Sequence, residues 1–273
     1  MKAAMSRSTT LRIAVLINTP SDNHEFWTDV RQAWQESFAI VAPSAEVDLY
    51  DPVVERNFPD PTQYDLIALS GGKADASSSE DWVLGVVDFV RTVQRDSPKT
   101  KILGICWGHQ LVARALGGEV GAVPTGPIVG ISLVFYNSRI FRTDVVQAAI
   151  QDITLTEAGK RFFPFAASTG SYKAPEFHVR EVVKPAPGFI HLASNRECFI
   201  NEANTVLSFQ AHPEISNMLA RKLLLEEDKE YNGNSTTEQL EREVQKLEYP
   251  TDGIKLMERV IQWLDEESGD VMC

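Results

Sequence analysis

Short apolar runs alternate with amphipathic stretches along the first half of the chain. Residues 11–18 form a nearly continuous apolar run, which is typical of a parallel strand buried on both faces. Similar runs at 46–50, 65–70 and 101–105 predict further strands, and the intervening stretches 81–95 and 108–116 predict helices. Another helix is predicted by four apolar residues at four-residue steps: Phe26, Val30, Trp34 and Phe38. This alternation predicts an α/β fold, a doubly wound and mostly parallel sheet with helices on both faces.

The second half has a more antiparallel pattern. Strands are predicted at 129–136, 189–194, 198–201 and 205–210, and helices at 215–225, 237–247 and 254–264. The formal net charge of the chain is −12, and it is unevenly distributed. Residues 1–225 hold 21 basic and 24 acidic side chains, whereas residues 226–273 hold 5 and 14. We therefore expect one domain over 1–225 and an acidic helical C-terminal extension over 226–273, packed on or beside it.

Composition excludes several classes of protein. An acidic chain without a basic face does not favour nucleic acid, and no apolar run approaches the ~20 residues that span a bilayer. The first ten residues lack an apolar signal core, so a cytoplasmic location is expected. Three scattered cysteines are too few for a disulfide framework. No phosphate or dinucleotide fingerprint is present and His24, His109 and His191 lack partners at ligand spacing, so neither a cofactor nor a metal is expected.

The segment 101–118 carries the clearest candidate chemistry. It predicts a strand followed at once by a helix, with Cys106 at the junction and glycines at 104 and 108. This is the pattern of a nucleophile elbow, in which flanking glycines permit a sharp turn and close packing of the helix. The turn places the thiol at a helix N-terminus, where unpaired amide groups favour negative charge. A buried core cysteine is the alternative interpretation of this pattern.

A second signal favours the catalytic interpretation. His212 and Glu214 are two residues apart on a predicted extended segment, so their side chains point to the same side. Pro213 keeps the residue before it extended. A histidine can deprotonate a cysteine, and a carboxylate can orient the imidazole. The sequence therefore predicts that Cys106, His212 and Glu214 act together, in preference to a structural histidine at 212.

These residues resemble those of the class I glutamine amidotransferases. The match comprises Gly104-Ile-Cys106-Trp-Gly108-His-Gln110, Ala115-Leu-Gly117-Gly118 and His212-Pro-Glu214, within a resemblance that covers about residues 11–225. The resemblance implies a flavodoxin-like fold and cleavage of the γ-amide of glutamine through a γ-glutamyl thioester, with Cys106, His212 and Glu214 as the triad. It also implies that Gln110 lies beside the γ-glutamyl group. The amides of Gly72 and Trp107 would stabilise the oxyanion.

Within that family, the chain is most similar to stand-alone γ-glutamyl peptidases that trim glutathione conjugates. The likeness rests on the turn at Ser70-Gly71-Gly72, the helix start at Asp81-Trp82-Val83 and the segment 176–182. It implies a substrate-binding role for His178. Arg180 stands where an acidic residue is usual, and an arginine there favours a carboxylate of the substrate. A solvated loop is the alternative for both residues.

The sequence thus predicts a cysteine hydrolase that cleaves a γ-glutamyl amide, either glutamine or a γ-glutamyl peptide such as a glutathione adduct. Only 48 residues follow residue 225, too few for a fused synthetase domain, so an acceptor of ammonia would be a separate chain. Two alternatives stay open: a glutaminase subunit that supplies ammonia to a separate synthase, and a non-catalytic binding protein with the same fold. An α/β-hydrolase is disfavoured because its acid would precede the histidine.

Overall fold

The computed structural model describes residues 10–21, 25–123, 133–136, 139–142, 150–227, 238, 241, 244–245 and 247–267. The strands are β1 Arg12–Leu16, β2 Glu46–Tyr50, β3 Leu66–Leu69, β4 Lys101–Ile105, β5 Glu119–Ala122, β6 Leu133–Tyr136, β7 Arg139–Arg142, β8 Ile150–Thr154, β9 Ser171–Pro175, β10 Arg180–Lys184, β11 Phe189–His191, β12 Cys198–Asn201 and β13 Val206–Phe209. The helices are α1 Glu25–Val41, α2 Asp81–Asp96, α3 Trp107–Ala115, α4 Glu157–Phe162, α5 Asn217–Glu227 and α6 Gly253–Trp263.

A seven-stranded sheet forms the centre, in the order β11-β12-β13-β4-β3-β1-β2. Strands β13, β4, β3, β1 and β2 are parallel, whereas β12 and β11 extend one edge in antiparallel pairing. Successive residues of β1 enter different hydrophobic clusters: Ile13 and Val15 pack with α1, α5 and α6, and Ala14 and Leu16 pack with α2 and α3. The predicted α/β fold with helices on both faces is confirmed.

The predicted strands and helices of the central sheet are confirmed with small shifts at their ends. The antiparallel pairs β5 with β10 and β8 with β9 were not predicted in this form. Of the strand predicted at 129–136, residues 133–136 are observed as β6, and 129–132 lie outside the described residues. Of the helix predicted at 237–247, residues 238, 241, 244 and 245 are helical and 247 lies in a turn, while the others lie outside the description.

Helix α6 is part of the core rather than a solvent-facing addition. Leu256, Met257, Val260 and Trp263 are buried in the same cluster as the α1 face of the sheet. Nζ of Lys101, at the start of β4, donates to the carbonyl of Trp263 at 2.6 Å. The division at residue 225 stays a prediction, but residues 253–263 complete one face of the sheet.

The parallel strands bring several loops to one edge of the sheet. Cys106 follows β4, the Gly71-Gly72 turn follows β3, and His212 follows β13. Because β3, β4 and β13 are adjacent and parallel, their carboxyl ends lie side by side, where α/β proteins commonly bind ligands. None of the described helices is both long and apolar enough to cross a bilayer.

Candidate active site

Cys106 occupies a strained turn between β4 and α3. Its backbone has φ 50° and ψ −101°, a conformation that residues with a side chain rarely adopt. Glycines on either side make the turn possible: a Cβ on Gly104 would lie 2.7 Å from the carbonyl oxygen of Gly108, and one on Gly108 would lie 2.4 Å from that of Leu69. The sharp turn predicted from the glycine spacing is therefore present.

The elbow is fixed by backbone contacts on two sides. The amide of Cys106 donates to the carbonyl of Phe209 at 2.8 Å, which ties the turn to β13. Sγ of Cys106 lies 3.5 Å from the carbonyl oxygen of Phe177, on the loop after β9. Trp107 is the first residue of α3, and amides in the first turn of a helix have no acceptor within that helix. An amide in this position can donate to a bound anion.

His212 and Glu214 form a buried pair beside the elbow. Nδ1 of His212 lies 2.9 Å from Oε1 of Glu214, and the amide of His212 donates to the carbonyl of Pro175 at 2.8 Å. Burial lowers the pKa of His212, but the charges of Glu214 and Cys106, with hydrogen bonds to both, raise it well above the ordinary 6.5 overall. Since Nδ1 is taken by Glu214, Nε2 is the nitrogen left for the thiol. The imidazole can therefore hold a proton between a carboxylate and a sulfur.

A cavity of about 360 Å³ opens over the thiol. All eight residues singled out from the sequence line it: Gly72, Cys106, Trp107, Gln110, His178, Arg180, His212 and Glu214. Its volume is within the range of about 300–1,000 Å³ that is usual for small-molecule sites. The structure therefore brings the predicted residues together in one place.

Gln110 and Arg180 are joined at one wall of the cavity. Nε2 of Gln110 donates to the carbonyl of Arg180 at 2.7 Å and to Oε1 of Gln210 at 3.2 Å. The Arg180 side chain reaches across to the loop that follows the Gly71-Gly72 turn, where Nε lies 2.8 Å from a carboxylate oxygen of Asp75 and Nη2 donates to Oγ of Ser77 at 2.7 Å. Opposite charges thus stand side by side on this wall.

His178 is buried, so the alternative of a solvated loop is wrong for this residue. It is 5% exposed, and its Nδ1 lies 2.9 Å from the carbonyl oxygen of Arg180. Burial lowers the pKa of His178, and the nearby His212 lowers it further, against the opposing effect of Glu176. A neutral imidazole therefore lines the cavity. One ligand atom each of Glu176, His178 and Glu197 lies within 4.8 Å of the others.

Several residues of the cavity wall were missed from the sequence. Asp75 and Lys73 come directly after the Gly71-Gly72 turn and could have been suspected from that position. Trp27 and Val30 line the cavity from α1, although the helical apolar stripe to which Val30 belongs indicates only a core face. No sequence signal separates a cavity wall from a core contact, because both need apolar residues at helical spacing.

Comparisons with known proteins agree with this geometry. The family model "Glutamine amidotransferase class-I" matches residues 35–229. The chain belongs to the class I glutamine amidotransferase family. It is 55% identical over 262 residues to the glutamine amidotransferase-like protein chyE of Penicillium rubens, which covers 96% of this chain and 100% of that protein. It is 26% identical over 180 residues to gamma-glutamyl peptidase 2 of Arabidopsis thaliana, covering 64% of this chain and 62% of that one.

A solved structure shares the fold. A glutamine amidotransferase from Thermotoga maritima superposes with a TM-score of 0.62 at 16% identity, over 94% of this chain and 100% of that one. Membership of the amidotransferase family makes the protein an enzyme, a hydrolase acting on carbon–nitrogen bonds. The resemblance stated from the sequence motifs is thereby confirmed.

Proposed function

We propose that the protein is a cysteine hydrolase that cleaves a γ-glutamyl amide bond, in glutamine or in a γ-glutamyl peptide such as a glutathione conjugate. One observation carries the proposal: Cys106 stands at a strained elbow in the same cavity as His212, whose Nδ1 lies 2.9 Å from Oε1 of Glu214. A nucleophile, a base and a group that orients the base are the parts that nucleophilic catalysis requires.

The first half of the reaction forms a thioester. The Cys106 thiolate attacks the γ-carbonyl carbon, and the carbonyl oxygen becomes an oxyanion stabilised by the amides of Gly72 and Trp107. The oxyanion then collapses, the carbon–nitrogen bond breaks, and the protonated His212 gives its proton to the leaving amine. The raised pKa of His212 supports this step, because the ring carries the proton that the amine must receive.

The second half releases glutamate. Neutral His212 takes a proton from water as the water oxygen attacks the thioester carbon, and the carbon–sulfur bond then breaks. This returns the Cys106 thiolate and a charged His212. Glu214 acts throughout as a positioning residue, since a carboxylate 2.9 Å from Nδ1 holds the ring orientation and stabilises its charge.

The charged wall of the cavity supports a γ-glutamyl substrate. Its α-carboxylate suits the Arg180 guanidinium, and its α-amino group suits the Asp75 carboxylate 2.8 Å away. Lys73 adds a second cation at the rim. A cavity wall that carries both Arg180 and Asp75 suits a zwitterionic substrate better than a simple acid or a simple amine.

The other walls leave room for more than free glutamine. Trp27, Val30, Ile215 and Leu223 form an apolar side of the cavity. Ammonia is too small and polar to pack against this apolar surface, whereas the amine half of a γ-glutamyl peptide can contact it. We therefore include γ-glutamyl peptides among the substrates, and a separate synthase that receives ammonia is the alternative use of the same chemistry.

The proposed chemistry is suited to the cytoplasm. Cys106 and Cys198 are free thiols in the described part of the chain, and the nucleophile must stay reduced to react. We expect a small-molecule substrate as the main partner, with no requirement for nucleic acid or a membrane.

The test is release of free glutamate from glutamine, glutathione and an S-alkyl glutathione. The purified protein should release glutamate from at least one of them, and Cys106→Ala should not. A Cys198→Ala variant serves as the matched control, because that cysteine is buried in β12 away from the cavity. Acid quenching during turnover should trap a γ-glutamyl group on the peptide that contains Cys106. Equal release by the protein and by Cys106→Ala would overturn the proposal, as would no release from any substrate with or without an added ammonia acceptor enzyme.

A further inference from the structure

We propose that Glu176, His178 and Glu197 form a binding site for a divalent transition-metal cation of the Zn²⁺ class, beside the catalytic cavity and separate from the cysteine. Glu176 and His178 lie on the loop after β9, and Glu197 comes just before β12. One ligand atom from each residue lies within 4.8 Å of the others. Small side-chain rotations bring such atoms to the roughly 2.0–2.2 Å metal–ligand distances of zinc sites.

Two of the three side chains are buried, Glu197 is half-buried, and all three are incompletely paired. Glu176 is 6% exposed and His178 is 5% exposed. Oε1 of Glu176, Oε2 of Glu197 and Nε2 of His178 have no hydrogen-bond partner among the described residues. Buried polar atoms are almost always satisfied in proteins, so three unsatisfied atoms together point to a group that the protein chain does not supply.

The charges of Glu176 and Glu197 determine what kind of group can bind between these side chains. Two carboxyl groups face each other here, and Arg196 on the same loop pairs with Glu181 at 2.9 Å. Two buried carboxylates cannot both stay charged without a positive partner between them. Either a proton or a cation must therefore join the pair.

The imidazole favours the cation over the proton. A shared proton joins the two carboxyl oxygens and leaves Nε2 of His178 without a partner. Its Nδ1 is already occupied by the carbonyl of Arg180, which fixes the ring and presents Nε2 as a ligand. One imidazole nitrogen and two carboxylates form a donor set that Zn²⁺ accepts, with a fourth position for water. A cation satisfies all three atoms at once.

The position of the site links it to the nucleophile. Phe177 lies between two of the ligands, and its carbonyl oxygen is 3.5 Å from Sγ of Cys106. A cation bound by Glu176 and His178 would fix this short loop and hence the surroundings of the thiol. The bound cation would stabilise the wall of the cavity and would take no part in making or breaking bonds.

Metal binding to the full chain tests the proposal directly. Protein treated with a chelator should take up one equivalent of added Zn²⁺, measured by titration calorimetry and by elemental analysis after desalting. Co²⁺ should give visible absorption of a site with nitrogen and oxygen ligands and no thiolate charge-transfer band. Glu197→Gln keeps the shape and hydrogen bonding of a protonated carboxyl group, and should weaken binding by more than the roughly 10–100-fold cost of losing an outer-shell partner.

Two control variants make every outcome decisive. Cys106→Ser should bind as tightly as the natural sequence, because the thiol is not a ligand, and the exposed Glu202→Gln should also be unchanged. No uptake by the natural sequence would leave a shared proton as the occupant and overturn the metal site. Full binding kept in Glu197→Gln would place the cation elsewhere and also overturn the site, and its loss in Cys106→Ser would then locate the cation at Cys106. Thermal unfolding in chelator checks that Glu197→Gln is folded.

Discussion

Nδ1 of His212 lies 2.9 Å from Oε1 of Glu214, and both side chains are almost completely buried. Burial opposes a charge on the imidazole, yet the ring is held in its protonated form. The second oxygen of Glu214, Oε2, meets no donor from the described residues. The favourable energy of the charged ring therefore depends strongly on one short contact, which makes it sensitive to substitution.

Glu214→Gln should change how stability depends on pH. A histidine whose pKa is raised in the folded state adds stability that is fully present below the unfolded value of 6.5 and is lost as pH rises through the folded value. The free energy of unfolding should therefore fall as the pH rises above 6.5 in the natural sequence and fall less steeply in Glu214→Gln. Urea unfolding at several pH values below and above 6.5 measures the free energy of unfolding of each protein. Glu202→Gln is the control, and parallel slopes in all three proteins would contradict the assigned pair.

Gly108→Ala should disrupt the packing beneath the elbow. An added Cβ would lie 2.4 Å from the carbonyl oxygen of Leu69, so β3 or α3 must move. We expect a loss of about 2–3 kcal/mol in the free energy of unfolding, together with loss of activity. Gly85→Ala on α2 is the matched control, because its Cβ would meet only Phe58 at 3.7 Å. That change should be neutral or stabilising by up to about 1 kcal/mol, as alanine favours helix.

Lys101→Met should weaken the attachment of the C-terminal end of α6 without changing the cavity. Nζ of Lys101 donates to the carbonyls of Trp263 and Glu266, at 2.6 and 2.8 Å, and lies 4.5 Å from the centre of the Trp263 ring. Leaving these carbonyls without a charged donor should cost about 2–3 kcal/mol of stability. Activity per folded molecule should persist, because Lys101 and Cys106 lie at opposite ends of β4. Lys99→Met, at an exposed position, should change neither the stability nor the activity.

Arg180→Gln should raise KM more than it lowers kcat. The guanidinium lies on the cavity wall beside Asp75, away from the bond that breaks in the proposed reaction. Loss of a charged hydrogen bond of about 1.5–3 kcal/mol corresponds to a roughly 10–100-fold higher KM for γ-glutamyl substrates. Arg95→Gln, at an exposed site on α2, is the control. An unchanged KM would show that this arginine does not bind the substrate.

The central sheet and the elbow could be predicted because their signals are local. A buried parallel strand is a continuous apolar run, and a sharp strand-to-helix turn needs glycines two positions either side of Cys106. The proximity of His212 follows from the same logic, since β13 and β4 are parallel neighbours whose ends meet. Local sequence therefore carries the strands and the elbow, and the pairing of β13 with β4 brings His212 to the same edge.

The remaining features depend on distant packing. Trp263 is fully buried and its Nε1 donates to Oδ1 of Asn204 at 2.6 Å, yet an amphipathic helix at a surface has the same residue spacing. The pairing of Arg180 with Asp75 joins segments about a hundred residues apart in the sequence. The cluster of Glu176, His178 and Glu197 likewise combines two loops, which is why motif spacing gave no metal site.

The backbone of Cys106 also has an evolutionary consequence. A residue with a side chain at φ 50° and ψ −101° costs about 1–3 kcal/mol, and glycine would remove that cost. Selection for a stable chain and selection for the proposed nucleophile would therefore act in opposite directions at this single position. In a lineage that no longer needs the reaction, replacement of Cys106 by glycine would be tolerated and would give a more stable, inactive protein. We expect cysteine to be retained at position 106 only in relatives that use the thiol in the proposed reaction.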